Sequence, residues 1–131
     1  MRKSVALMVL CCGVLLTAAC VSMSRADREF YRRIEMQGAD VMAGNIKHPA
    51  AAGFLNILPG VGNFYLASGT EHSGQWMIGT LNLLVWPVSI LWGVPEAAID
   101  AQTINKMETV YYYRHGPGKE ELAALQEEQE E

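Results

Sequence analysis

The sequence predicts an all-α protein: an apolar helical hairpin flanked by amphipathic helices and followed by a disordered acidic tail. Three observations lead there. Between Pro49 and Pro95 the only formal charge is Glu71, and two apolar runs, 50–67 and 74–94, flank the turn-rich Ser68-Gly69-Thr70-Glu71-His72-Ser73. On either side of this stretch, apolar residues recur in steps of three and four, the spacing that gathers them on one helical face. The chain then closes on 119–131, which carries six Glu and one Lys and is too charged to be expected to bury itself.

The elements follow in order. Ser24 stands where a helix N-cap is needed and Asp27 three residues on completes a variant of the capping box. Ala26, Phe30 and Ile34 share a face, Arg25, Arg28, Glu29, Arg32, Arg33 and Glu35 fill the rest, and Gly38 ends the helix. Those arginines either meet anionic head groups or form a solvated face with pairs such as Arg25–Glu29 and Glu29–Arg33.

Each apolar run is near spanning length, and the short separation makes the two antiparallel neighbours. Gly, Pro and Asn interrupt both runs, as in close-packed membrane helices, where small residues let backbones approach and amides bond across the interface. Gly53, Asn56, Gly60, Gly62, Asn63, Gly79 and Asn82 are the candidate interface residues. A G-x-L-N-x-L echo links 53–58 with 79–84, and Asn56 and Asn82 fall at similar depth, so their amides are candidates to pair directly or through water.

Past Pro95 the residues Ala97, Ala101, Ile104, Met107 and Tyr111 predict an amphipathic helix that starts just after the proline. Tyr111, Tyr112 and Tyr113 at its end suit either a membrane interface or packing on the protein itself. Gly116-Pro117-Gly118 then breaks the chain.

The length of 131 residues and net charge of −4 allow one small domain. With ten Lys+Arg against fourteen Asp+Glu, no basic excess exists to neutralise phosphates, so nucleic acid is not expected as a partner. No P-loop, dinucleotide fingerprint, H-E-x-x-H or EF-hand loop is present. His48, His72 and His115 are scattered, Ser73 lacks a nucleophile elbow, and Glu96 and Asp100, one turn apart, suit the acid preference of a helix start. Neither an enzyme nor a cofactor or metal is expected.

The N-terminus reads as a leader. Arg2 and Lys3 precede an apolar stretch over 5–16, and small residues lead to Cys20. Leu16-Thr17-Ala18-Ala19-Cys20 resembles the lipobox of bacterial lipoproteins. That resemblance implies a diacylglyceryl group on the Cys20 thiol, cleavage after Ala19 and acylation of the new amine. All three cysteines, Cys11, Cys12 and Cys20, lie in the first twenty residues, so a disulfide within the mature chain is excluded. Two or three acyl chains anchor stably where one alone is reversible. Val21 and Ser22 lack the acidic residue that resembles an inner-membrane retention signal, so the periplasmic face of the outer membrane is the expected location.

A second resemblance lies in Pro59-Gly60-Val61-Gly62-Asn63-Phe64-Tyr65-Leu66-Ala67-Ser68-Gly69, followed by a run from Gly74 that closes on Ile99-Asp100. It is similar to the TM2 domain family and implies a two-helix membrane hairpin rather than an activity. The segments are therefore a leader (1–19), an anchor with its amphipathic helix (20–48), a TM2-like hairpin (49–95), an amphipathic helix (96–115) and an acidic tail (116–131).

A conventional crossing would place the 68–73 loop in the cytoplasm. That loop holds no Lys or Arg, whereas the flanks carry Arg25, Arg28, Arg32, Arg33, Lys47, Lys106 and Arg114, an inversion of the positive-inside rule. The hairpin is thus expected to lie against one leaflet or inside an oligomer. The expected role is structural or accessory, with membrane lipid, further copies of the chain or an envelope assembly as partners. The alternative is a transport or signalling accessory in which Asn56, Asn63 and Asn82 line a polar path.

Overall fold

The structure is a computed structural model and describes residues 21–130. The protein is all-α, with six helices among these residues: α1 (Arg25–Met36), α2 (Pro49–Leu55), α3 (Val61–Ala67), α4 (Gly74–Leu84), α5 (Ile90–His115) and α6 (Gly118–Glu130). The longest, α5, runs the height of the molecule. Helices α2 and α3 pack as short legs against its first half, α4 packs on α3, and α1 and α6 pack against its second half.

Local chemistry sets the leg ends. His48 caps α2, its ring nitrogen accepting from the Ala51 amide, and Pro49 takes the first helical position, where a missing N–H costs nothing. The run 50–67 does not continue as one helix. Pro59 removes a donor and Gly60 adopts φ +80, so the chain reverses and restarts as α3. A second reversal at 68–73 leads down α4, and a third at 85–89, around Pro87, leads up α5. The two apolar runs thus form four short legs, and no helix among the described residues is long and apolar enough to cross a membrane.

The helix expected to begin after Pro95 begins at Ile90 instead, with Pro95 inside it. The proline forgoes one bond, to the carbonyl of the exposed Leu91 near the helix start. The neighbouring turns pack against α2, where Gly53 lets Val94 and Ala98 approach closely. That packing keeps the helix continuous through a residue that would otherwise end it.

Two apolar clusters hold the molecule. In the upper half Met23, Ile34, Ala39, Val110, Tyr113 and Leu122 form an ordinary core, with Phe30, Tyr31 and Leu125 packed on it. Nearer the middle, Ala52, Leu66, Ala97, Ala101 and Ile104 form a tighter cluster of mostly small residues. Ser24 caps α1 as the sequence predicts, its oxygen accepting from the Asp27 amide at 3.1 Å. The same-helix pairs Arg25–Glu29 and Glu29–Arg33 are not formed. Among the described residues the ion pair is Arg114 to Asp27, 2.7 Å, and Arg33 and Arg114 both lie over the Phe30 ring.

The acidic tail corrects the expectation of disorder, since 118–130 is helix α6. Gly116-Pro117 turns the chain back, Gly118 fits against the Tyr112 ring, and Leu122 is buried against Tyr113. Leu122 and Leu125 supply one apolar stripe while Glu120, Glu121, Glu127 and Glu128 stay exposed. Of the tyrosines, Tyr113 is buried and donates to the Asp40 carbonyl, Tyr112 packs on it edge to face, and Tyr111 is exposed.

Gly38 and Gly60 both have positive φ, but a Cβ at Gly38 meets nothing while one at Gly60 overlaps the Gly79 carbonyl. Gly38→Ala is expected to cost about 1–2 kcal/mol from backbone strain alone. Gly60→Ala adds a clash between α3 and α4 and is expected to cost at least about 3 kcal/mol. Denaturant unfolding of both variants checks this, and equal losses would mean that the two legs are not in close contact.

Candidate functional site

In the lower half of the molecule the usual arrangement of polar and apolar groups is reversed. Asn56, Asn63, Gln75, Asn82, Ser89 and Asp100 are buried there, each at most 2% exposed. Meanwhile Phe54, Ile57, Leu58, Trp76, Met77, Leu83, Leu84, Trp86, Val88 and Leu91 are exposed. All of the buried groups but Asn56, which bonds to backbone groups beside them, are joined in a continuous line from the 85–89 reversal to the start of the described chain.

Asn56 sits at the bottom of α2. Its amide nitrogen donates to the Gly93 carbonyl of α5, and its oxygen accepts from the Gly62 N–H at 3.1 Å, satisfying an otherwise orphaned donor in the first turn of α3. Asn63, on α3, is the centre of the line. Its nitrogen donates to Gln75 Oε1 at 2.8 Å and its oxygen accepts from Asn82 at 3.0 Å, so one side chain ties α3 to both ends of α4. Asn82 also accepts from the Trp92 indole at 3.0 Å, and Ser89 donates to the Asn82 carbonyl at 2.7 Å. At the upper end Gln75 Nε2 donates to Asp100, whose second oxygen accepts from the Val21 N–H at 3.2 Å.

All seven candidate interface residues lie buried where the legs meet. Gly53 faces α5, Gly60 touches Gly79, Gly62 lies under Ala52 and Asn56, and Gly79 receives the Phe64 ring. Asn56 and Asn82 do not pair with each other. Both amides converge on Gly93, and each bonds elsewhere, Asn56 to the Gly93 carbonyl and Asn82 to Asn63. Depth was readable from the count of residues to the turn, but the partner depended on how the legs are rotated.

Sequence reasoning did not place Gln75, Trp92, Ser89 or Gly93 in this line. A polar residue two positions into a charge-free run was the available signal for Gln75. Lys47 was also missed as a structural residue. Its ammonium donates to the Tyr65 and Ser68 carbonyls at the C-terminal end of α3 and lies over the Tyr65 ring, while Asn105 of α5 holds its backbone on both sides.

Glu96 and Asp100 stand in the interior of α5, not at its start, because the helix begins six residues before Glu96. Burial pushes Asp100 up, opposed by its bonds to Gln75 and Val21 and by His72 nearby. Both carboxylate oxygens of Glu96 are buried without a partner, and burial, with repulsion from Asp100, pushes its pKa up to about 7. No group of three His, Cys, Asp or Glu among the described residues is arranged to hold a metal. Cys20 and the leader over 1–19 lie outside the described residues.

A carboxyl raised from 4.5 to about 7 holds its proton in the folded state over a pH range where the unfolded chain has lost it. Stability is therefore expected to fall as pH rises through that window and to be level above it. Glu96→Gln is expected to flatten the slope, as measured by unfolding at a series of pH values. An unchanged slope would assign it to Asp100 or another group.

Asn63→Leu strips both Gln75 and Asn82 of a partner in a closed interior and is expected to cost about 2–4 kcal/mol. Ala67→Leu is not an equivalent control, since Ala67 is itself buried. Thr80→Leu, on the exposed face of α4, is the suitable one, expected to change stability by less than about 0.5 kcal/mol.

Comparison with known proteins finds no family model, curated protein or solved structure that matches this chain. The likenesses to bacterial lipoproteins and to the TM2 hairpin accordingly rest on the residues quoted for them.

Proposed function

We propose that this is a lipid-anchored envelope protein with a structural or accessory role, held through Cys20 and associating with membrane through the apolar surface of its lower half. The observation that carries this reading is the reversal of polarity in the legs. A water-exposed domain of this size does not leave Phe54, Leu58, Leu84, Trp86 and Leu91 open while enclosing three asparagines, a glutamine and an aspartate. The upper half has the opposite and ordinary character, with arginines and glutamates outside an apolar core. One half suits an apolar environment and the other suits water.

The transport reading draws on Asn56, Asn63 and Asn82 as the lining of a path. Asn82 donates to Asn63, Asn63 to Gln75 and Asn56 to the Gly93 carbonyl, while Asn56 accepts from the Gly62 N–H, so all three amides are engaged within the protein and each is at most 1% exposed. No observation favours it. No observation favours an enzymatic role either.

The anchor is tested directly. Intact mass of the wild-type protein is expected to correspond to loss of 1–19 plus acyl chains on Cys20, and Cys20→Ser is expected to accumulate as the uncleaved precursor. Fractionation should place the wild type with the outer membrane. An unacylated chain beginning near Val21 in the soluble fraction would overturn the anchored reading.

A further inference from the structure

We infer that the four legs form a wedge that enters one lipid leaflet from Cys20's side, with the 56–60 and 85–89 reversals as its deep tip and the Asp100–Gln75 level at the hydrocarbon boundary. This deepens the anchored reading and rests on it for the side of entry.

The dimensions come from α5 and α4. From Leu91 to Asp100 the helix rises about 14 Å, and α4 from end to end about 16 Å. The hydrocarbon of one leaflet is about 15 Å thick, half of the bilayer core. Over that height the formal charges in 49–99 are Glu71, in the upper reversal, and Glu96, whose carboxyl oxygens are buried. Apart from Met36, Met42, Ile46 and Tyr111, the exposed large apolar side chains of the described residues all lie between Phe54 and Ile99.

Lipid imposes one more requirement, that polar groups be bonded internally. The backbone bonds of Asn56 and the side-chain line from Asn82 to Asp100 meet it for these residues, Glu96 being the exception, and Thr80, exposed on α4, turns its hydroxyl onto the Trp76 carbonyl at 2.9 Å.

The boundary level has its own chemistry. The Val21 N–H is held by Asp100, so the peptide bond to residue 20 starts at the top of the wedge, where acyl chains on Cys20 would enter the same leaflet. Directly above, Arg28, Arg32 and Lys106 line an open cleft of about 430 Å³ together with Val21, Thr103 and one acid, Glu35. Lys106 stands about 9 Å above Asp100 along α5, within the head-group zone, so cationic side chains fall at the depth of lipid phosphates and none falls deeper. That charge arrangement, with the entry point of the chain, selects a leaflet over a protein as the occupant.

The test uses the full lipidated chain in vesicles of phosphatidylcholine with phosphatidylglycerol. The mature sequence has no Cys beyond Cys20, whose thiol carries lipid on the anchored reading, so single cysteines at exposed sites can be spin-labelled: Gln102→Cys above the boundary, Met77→Cys just below it and Leu84→Cys at the tip. Relaxation by oxygen relative to a water-soluble nickel chelate is expected to rise from Gln102 through Met77 to Leu84. A label at Leu84 relaxed mainly by nickel would overturn the wedge. So would a label at Leu84 shielded from both reagents and broadened by a second spin, which would assign the face to another copy of the chain. Intact mass reports the anchor independently, so an acylated chain with an aqueous Leu84 overturns the wedge and leaves the anchored reading standing.

Discussion

The fold depends on the Asn63 amide and the line of hydrogen bonds through it. Legs of seven, seven and eleven residues are too short to be stable helices alone, and their small inner residues offer little apolar area to hold them together. What joins them is a set of side-chain bonds with no water to compete: Asn56 across α2, α3 and α5, Asn63 across α3 and α4, Gln75 and Asp100 across α4 and α5. In a closed interior each such bond is strong and each loss leaves an unpaired group behind, so the line specifies one arrangement of the legs. The glycines serve the same end, since amides bond between backbones only if nothing bulky stands between them.

Helix α5 lets two halves of opposite character share one chain. Its first three turns pass through the polar interior of the legs and its last four through an apolar core closed by α1 and α6. Lys47 and Asn105 mark the passage between them, tying the loop before α2 to the middle of α5 and capping the end of α3. Glu96 is the exception to the satisfied interior. A carboxyl with buried oxygens and no partner is tolerated where it can keep its proton, and the neighbouring Asp100 makes keeping it easier.

On the proposed reading, anchor and wedge are two parts of one attachment. The acyl chains hold the protein at a surface and the legs fix its depth and tilt, which acyl chains cannot do because they rotate freely. The upper half then presents a fixed face to the periplasm, with Glu120, Glu121, Glu127 and Glu128 exposed on α6. Such an orientation is what a subunit or placement factor of an envelope assembly requires. The inverted charge pattern around the 68–73 loop is accommodated as well, because a wedge that enters and leaves on one side keeps that loop among the head groups.

The sequence by itself determined the all-α class, the Ser24 cap, the reversal at 68–73, the buried Ala97, Ala101 and Ile104 of α5 though not the exposed Tyr111 expected on the same face, and the seven small or amide residues that meet inside the legs. Each of these follows from local propensity, periodicity or the count of residues to a turn. Tertiary structure alone decided the rest. Composition made two runs of near spanning length; Pro59-Gly60 and Pro87 supply the local breaks, but only the fit of Gly60 on Gly79 and of Asn56 under α3 set the pieces side by side as four legs. Pro95 reads as a boundary until the packing of Val94 and Ala98 on Gly53 holds a helix through it. The tail reads as disordered until Tyr113 and Ile34 offer Leu122 a place to be buried. In each case a local preference worth about 1–3 kcal/mol was outweighed by contacts between residues far apart in the chain, and those contacts exist only once the helices have docked.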